Sequence, residues 1–361
     1  MTPITILTYR HFNNDSSITP YPYIFKPKTY ASIETDASVL IMGDAFAARL
    51  ASFKSGLATK ISGDIKKTLT IESLAKPGEG LHRTLEKLKN LKRLPLIIIL
   101  MSNIDNHKEL VFRPSESSDI YENLKIYENP LIQSILMIFP SLAKYFYHHV
   151  NYVELDNTIK INKSISTGDE ILYQQHMQMY FKLYSATLNE FFTYATKRNS
   201  IVIPITSPIH HKLKPKKSCY GSLAPDTQNN FQQAIKLINE RDFKSAFNIA
   251  KDLVLINSSH AATHFLNGLI NERLNNYRAA YRSFLNAKAY DCANDGVHPI
   301  FNEILKDKTS LFGLEYIDYD RFIYDQSLKN NVFLDETYPQ DLFFQRLNDM
   351  LANKIKNLLK L

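Results

Sequence analysis

Short runs of uninterrupted apolar residues, each ending in a turn, constrain this chain more than any other feature. Ser38 to Met42 (SVLIM) stops at Gly43-Asp44, Leu94 to Met101 (LPLIIILM) at Ser102-Asn103, and Asn199 to Ile205 (NSIVIPI) at Thr206-Ser207-Pro208. That pattern belongs to parallel strands covered on both faces. Lys67 to Ala75 (KTLTIESLA), stopping at Pro77-Gly78, reads as a further strand, and Leu314 to Ile317 is a fifth candidate. Between them Phe46 to Phe53 has helical Ala and Leu spacing, and Leu81, Leu85, Leu88 and Leu91 recur at intervals of three and four. Strand, helix, strand, helix, strand implies an α/β fold on a parallel sheet.

At 361 residues the chain is long enough for two domains, or for one large domain with an insertion. The expected division is an N-terminal arm over 1–37, an α/β domain over 38–220 and 295–361, and a separate helical unit over 221–294. Residues 110–197 read as an aromatic-rich helical insertion, with helices around Gln133 to His149 and Ile171 to Ala195, placed to act as a lid. Its most apolar stretch, Pro130 to Tyr147, is interrupted by Pro140 and Lys144. It is too short to span a bilayer, so it reads as a buried or lid helix pair ahead of a membrane foot.

In 221–294, Ala234, Phe243 and Ala246 recur 34 residues later as Gly268, Tyr277 and Ala280, with Phe284 and Ala287 extending the pattern. This resembles the tetratricopeptide repeat, in which small residues let helices cross closely and an aromatic marks the turn into the second helix. Two units are fewer than the three usually needed to stand alone, so the array is expected to lean on the α/β domain. Its groove is where a protein partner is expected.

Composition narrows the rest. A hydrophobic fraction of 44% excludes disorder as the main state. The net charge of +7 is spread along the chain, and nucleic acid is not an expected partner. Lys212, Lys214, Lys216 and Lys217 read as a solvated basic loop. The two cysteines, Cys219 and Cys292, are far apart in sequence and form no CxxC, which indicates neither a disulfide framework nor a thiolate metal site. With an N-terminus unlike a secretory signal, a reducing, cytoplasmic location is expected. No phosphate-binding glycine motif and no HExxH occur, so neither cofactor nor metal is expected.

Gly43-Asp44, Gly78, Asn103 and Asp335 all fall where strand carboxyl ends converge, the edge at which open parallel sheets bind ligands. GDAFAARL after the first strand and FLDETYPQ near the C-terminus resemble the Gly-Asp-Ser and Asp-x-x-His elements of the SGNH, or GDSL-like, esterase and acyltransferase superfamily. The resemblance implies a flavodoxin-like sheet and a serine, histidine and aspartate triad, with an oxyanion hole built from the serine, a glycine and an asparagine. Ala45 stands at the serine position and Tyr338 at the histidine position. A methyl group cannot attack a carbonyl, and a phenol is a poor general base at neutral pH. Gly78 matches the glycine; Asn103 is offset by one from the asparagine.

The expectation is therefore a pseudoenzyme: a cytoplasmic scaffolding or small-ligand-sensing module with no catalytic residue. A vestigial crevice of Asp44, Ala45, Gly78, Asn103, Asp335 and Tyr338 is expected to retain room for a small polar or acyl-bearing ligand. The rival is an active esterase or acyltransferase with a relocated set, Ser207 or Ser102 attacking and His82, His210 or His298 as base. His107, His148-His149, His211 and the string Asp295 to Pro299 read as structural.

Overall fold

The computed structural model describes residues 32–62, 69–106, 116–148, 150, 170–219 and 221–359. Most of the arm, with His107 and His149, lies outside them. Four parallel strands, β1 (Val39–Gly43), β2 (Ile71–Ser73), β3 (Ile97–Met101) and β4 (Ile201–Pro204), form a sheet in the order β2-β1-β3-β4. Helices α1 (Ala45–Ala51), α2 (Lys54–Ser62) and α3 (Leu81–Lys89) fill the first connections. The long crossover from β3 to β4 carries α4 (Ser117–Glu128), α5 (Pro130–Ile138), α6 (Ala143–Phe146) and α7 (Glu170–Lys197). After β4 come α8 (Pro225–Asn239), α9 (Phe243–Ile256), α10 (Ala261–Arg273), α11 (Tyr277–Ala289), α12 (Pro299–Leu311), α13 (Tyr319–Ser327) and α14 (Asp341–Leu358).

The uniform apolarity of β1, β3 and β4 has the cause the sequence suggested. Leu40, Met42, Ile98, Leu100 and Val202 point into one core with Leu81, Leu85 and Leu88 of α3, Phe191 and Phe192 of α7, and Phe301 of α12. The alternate residues Val39, Ile41, Ile97, Ile99 and Ile203 face a second core with Phe46 and Leu50 of α1, Leu57 of α2, and Phe344, Leu347 and Leu351 of α14. Helices on both faces leave β1 and β3 no wet side, whereas the edge strand β2 is half-buried with Glu72 exposed. Among the described residues no helix is long and apolar enough to cross a membrane.

The expected fifth strand is reduced to one parallel bridge, Ile205 with Ile317. Asp318 ends it, because its side chain accepts the Arg321 N–H and starts α13 at the next residue. Within the insertion, α7 forms the core-facing wall beside α3 and α12.

Helices α8 to α11 form two helical hairpins. Their turns carry positive φ at Arg241 and Asn275, and their second helices begin at Phe243 and Tyr277, each pair 34 residues apart. Ala234, Ala246 and Ala250 are fully buried at the crossing of α8 and α9. A Cβ on Gly268 would lie 2.7 Å from the Phe284 ring, so α10 and α11 touch where only glycine fits. Ala280 and Ala287 are buried as expected, but Tyr277 is 39% exposed and Phe243 half-buried. Sitting at the first position of their helices, they flank the turns and do not enter the crossing.

The hairpins lean on the sheet domain through buried polar contacts. Asp320 on α13 accepts from Tyr281 Oη at 2.7 Å and Ile209 N at 2.8 Å, and lies 3.0 Å from His211 Nε2. The reading of the cysteines is overturned: Cys219 and Cys292 are bonded, with Cα atoms 5.0 Å apart. Their separation of 73 residues in sequence vanishes in space because Ser218 pairs antiparallel with Asp291. The basic loop is not simply solvated either: Lys212 pairs with Glu272 at 2.9 Å, and Lys216 with Asp295 at 3.2 Å and Glu336 at 2.8 Å.

Candidate functional site

At the carboxyl edge of the sheet, β1 and β3 approach so closely that a Cβ on Gly43 would fall 1.9 Å from the Met101 carbonyl oxygen. Gly43, at φ +133°, allows that approach, and Asp44 follows it as the N-cap of α1. The Asp44 carboxylate accepts three backbone N–H groups: Phe46 at 3.0 Å, Asn103 at 2.6 Å and Ile104 at 2.8 Å. It thus fastens the turn after β1 to the loop after β3.

Asp105 completes the stitching. Its Oδ2 accepts the Gly78 N–H at 2.9 Å and the Ala45 N–H at 3.3 Å, joining the loops after β1, β2 and β3 on one carboxylate oxygen. Asn106 Oδ1 takes the Leu81 N–H at 2.7 Å and so positions the start of α3. Asp44 is fully buried and Asp105 is 8% exposed. Burial, and then the neighbouring Asp105 charge, push the Asp44 carboxyl up to about 8 against the three N–H groups that favour its anion. Burial and the Asp105 charge thus favour the neutral form of Asp44 more than in an exposed aspartate.

Of the six crevice residues singled out from the sequence, Asp44, Ala45 and Gly78 meet here. Tyr338 joins them, its ring edge-on to Phe46 with centroids 5.3 Å apart. Burial, Asp105 and Asp44 hold its phenol above the ordinary range, so it carries no base function at neutral pH. Asp335 does not enter the crevice: it is exposed, and its Oδ1 accepts the N–H groups of Thr337 and Tyr338 at 2.7 Å, forming the turn that presents Tyr338. Asn103 turns inward, where its amide donates to Asn302 Oδ1 and its oxygen accepts from Tyr184 Oη. Asn302 in turn pairs with the backbone of Ser207, accepting from its N–H at 2.9 Å and donating to its carbonyl at 2.8 Å.

Neither serine of the relocated set hydrogen-bonds to a histidine. Ser207 is fully buried and Ser102 is 2% exposed, and neither hydroxyl has a hydrogen-bond partner. His211 is engaged with Asp320 and His210 rests on Phe333 with ring centroids 4.2 Å apart. His298 caps α12 by accepting the Ile300 N–H, and burial lowers it to about 4, so it stays neutral in the core. His82 is buried at the start of α3. No group of three His, Cys, Asp or Glu that could hold a metal ion occurs among the described residues.

Comparisons with family models, curated proteins and solved structures gave no match to this chain. The geometry therefore has to speak for itself. What it offers is two backbone N–H groups, on Ala45 and Gly78, converging on one point at the sheet edge, with a carboxylate of the same chain on that point. Sequence reasoning missed Asp105, two residues beyond Asn103. The signal for it was an acidic residue one step further into the same strand-end loop, SNID.

Proposed function

We propose that the chain is a catalytically silent protein of SGNH type, joined to a tetratricopeptide-like helix pair, that binds a protein partner through the helical hairpins. The observation that carries this is the occupancy of the sheet edge. Ala45 supplies no nucleophile, and the Ala45 and Gly78 N–H groups, which a developing oxyanion would need, already serve Asp105 Oδ2. Two donors spent on an internal carboxylate give no differential stabilisation to a transition state. The crevice, closed by Tyr338 and Asp105, keeps room in this reading only for a small polar guest at its rim. The hairpins support the binding role, because stacked helix pairs crossing at alanine and glycine expose their outer faces to a peptide or helix.

The experiment pairs two measurements on purified protein: initial rates with short and medium acyl 4-nitrophenyl esters, and cross-linking mass spectrometry in native lysate. The proposal expects ester rates equal to those of the Ser102→Ala and Ser207→Ala variants, and cross-links to a partner concentrated on α8 to α11. Ester turnover that disappears with either serine overturns it. The cytoplasmic location belongs to the same proposal and is tested separately. The Cys219–Cys292 bond weighs against that location, because disulfides persist in oxidising surroundings; alkylation in intact native cells that finds both thiols free supports it, and finding them blocked overturns it.

A further inference from the structure

The short helices α5 and α6 bury only one of their sides. Ile132, Leu136, Ala143, Phe146 and Tyr147 pack into the core that holds α3 and α7. The other side leaves large apolar side chains in the open: Leu131 at 76%, Ile135 at 40%, Phe139 at 48% and Tyr145 at 75% exposure. Leu131, Ile135 and Phe139 recur every four residues along α5 and its C-cap, so they share a face. The polar groups beside them are met within the chain. Pro130 has no N–H, Asn129 Oδ1 accepts those of Leu131 at 3.0 Å and Ile132 at 3.3 Å, and the Asn129 carbonyl takes that of Gln133 at 2.9 Å. The Gln133 amide donates to the Tyr127 carbonyl, and the Ser134 hydroxyl to that of Pro130 at 2.8 Å. The start of α5 therefore meets an apolar medium without an open donor.

Charge decides what covers this face. Residues 130–147 contain no Asp or Glu, and their one charged residue is Lys144. Lys144 is exposed, lies over the Tyr145 ring at 5.0 Å from its centroid, and makes no ion pair among the described residues. The carboxylates Glu122 and Glu128 of α4 are already taken, by Lys125 and Lys182, each at 2.8 Å. We propose that α5 and α6 seat the chain on an anionic lipid surface, with Leu131, Ile135 and Phe139 entering the acyl boundary and Lys144 meeting a headgroup phosphate. Apolar side chains on one face, an aromatic ring and a lysine beside it are the parts of an interfacial helix, which lies in the bilayer surface and does not cross it. A second copy of the chain fits less well. A two-fold pair brings the same face against itself, and a face without a carboxylate gives Lys144 no partner there.

The test is co-sedimentation of the full chain with vesicles of phosphatidylcholine alone and of phosphatidylcholine and phosphatidylserine in equal parts. Wild-type protein should bind the mixed vesicles more tightly than the neutral ones. Phe139→Glu and Leu131→Glu should each weaken binding about tenfold or more, because each replaces a buried apolar side chain by a charge. Lys144→Gln should weaken binding to the mixed vesicles about fivefold. Leu334→Glu, at a position 72% exposed outside this segment, should bind as wild type does. Circular dichroism confirms that each variant folds, and Leu131→Glu decides the matter should Phe139→Glu misfold. The proposal is overturned if the wild-type chain stays in the supernatant, if it binds both vesicle types equally, or if both glutamate variants bind undiminished. Self-association without lipid that Leu131→Glu abolishes, seen by sedimentation velocity, assigns the face to a second copy and overturns it equally.

Discussion

Replacing Asp105 separates two roles that its carboxylate combines. In Asp105→Ala the Ala45 and Gly78 N–H groups lose their common acceptor in a site where Ala45 is 7% exposed. A buried donor left unsatisfied costs about 1–3 kcal/mol, and the longer 3.3 Å bond to Ala45 belongs at the low end of that range. Relief of the repulsion on Asp44 offsets part of the loss, so the expected net destabilisation is about 2–4 kcal/mol. Asp105→Asn keeps one oxygen in place to accept both N–H groups and removes only the charge, so its stability should stay within about 1 kcal/mol of wild type. Urea unfolding followed by far-ultraviolet circular dichroism measures both. The reasoning is refuted if Asp105→Ala is as stable as wild type, or if the two variants are equally destabilised.

Other outcomes follow from single contacts. Because Asp44 binds its proton more tightly folded than unfolded, with a folded value of about 8, it should make stability fall as pH rises from about 4 to about 8. The limiting slope is about 1.4 kcal/mol per pH unit, and urea unfolding at a series of pH values should show it in wild type and not in Asp44→Asn. Gly268→Ala drives a methyl to 2.7 Å from Phe284 and should cost about 1–3 kcal/mol by overpacking, read as a lower urea midpoint. Asp320→Ala strands Tyr281, His211 and the Ile209 N–H in a buried site and should cost about 3–5 kcal/mol, measured the same way. Reducing the Cys219–Cys292 bond, which closes a loop of 73 residues, should cost about 4 kcal/mol in the chain-entropy model, seen as a lower Tm with reductant that Cys292→Ser reproduces.

The sheet was legible because β1, β3 and β4 are apolar at every position, and residues alternating between two buried faces leave no other arrangement; the edge strand β2, with Glu72 exposed, was read from its place in the strand and helix order. The fifth strand was misread because Leu314 to Ile317 has the right composition, while the decisive residue, Asp318, lies just after it and starts a helix. The helical hairpins were legible from a 34-residue offset of small residues, which is local information. What stayed hidden depends on contacts between distant segments. Cys219 and Cys292 meet through the pairing of Ser218 with Asp291, and Asp105 reaches two amides that belong to other loops. Asn103 was placed at the right strand end but on the wrong side, because its partner Asn302 comes from a helix almost 200 residues on.

Intact-mass spectrometry after exposure to a serine-directed fluorophosphonate addresses the silent crevice most directly. The account predicts an unmodified mass at long exposure, since Ala45 offers no hydroxyl and the hydroxyls of Ser102 and Ser207 are buried. A stoichiometric phosphonyl adduct that is lost on replacing one serine would contradict it.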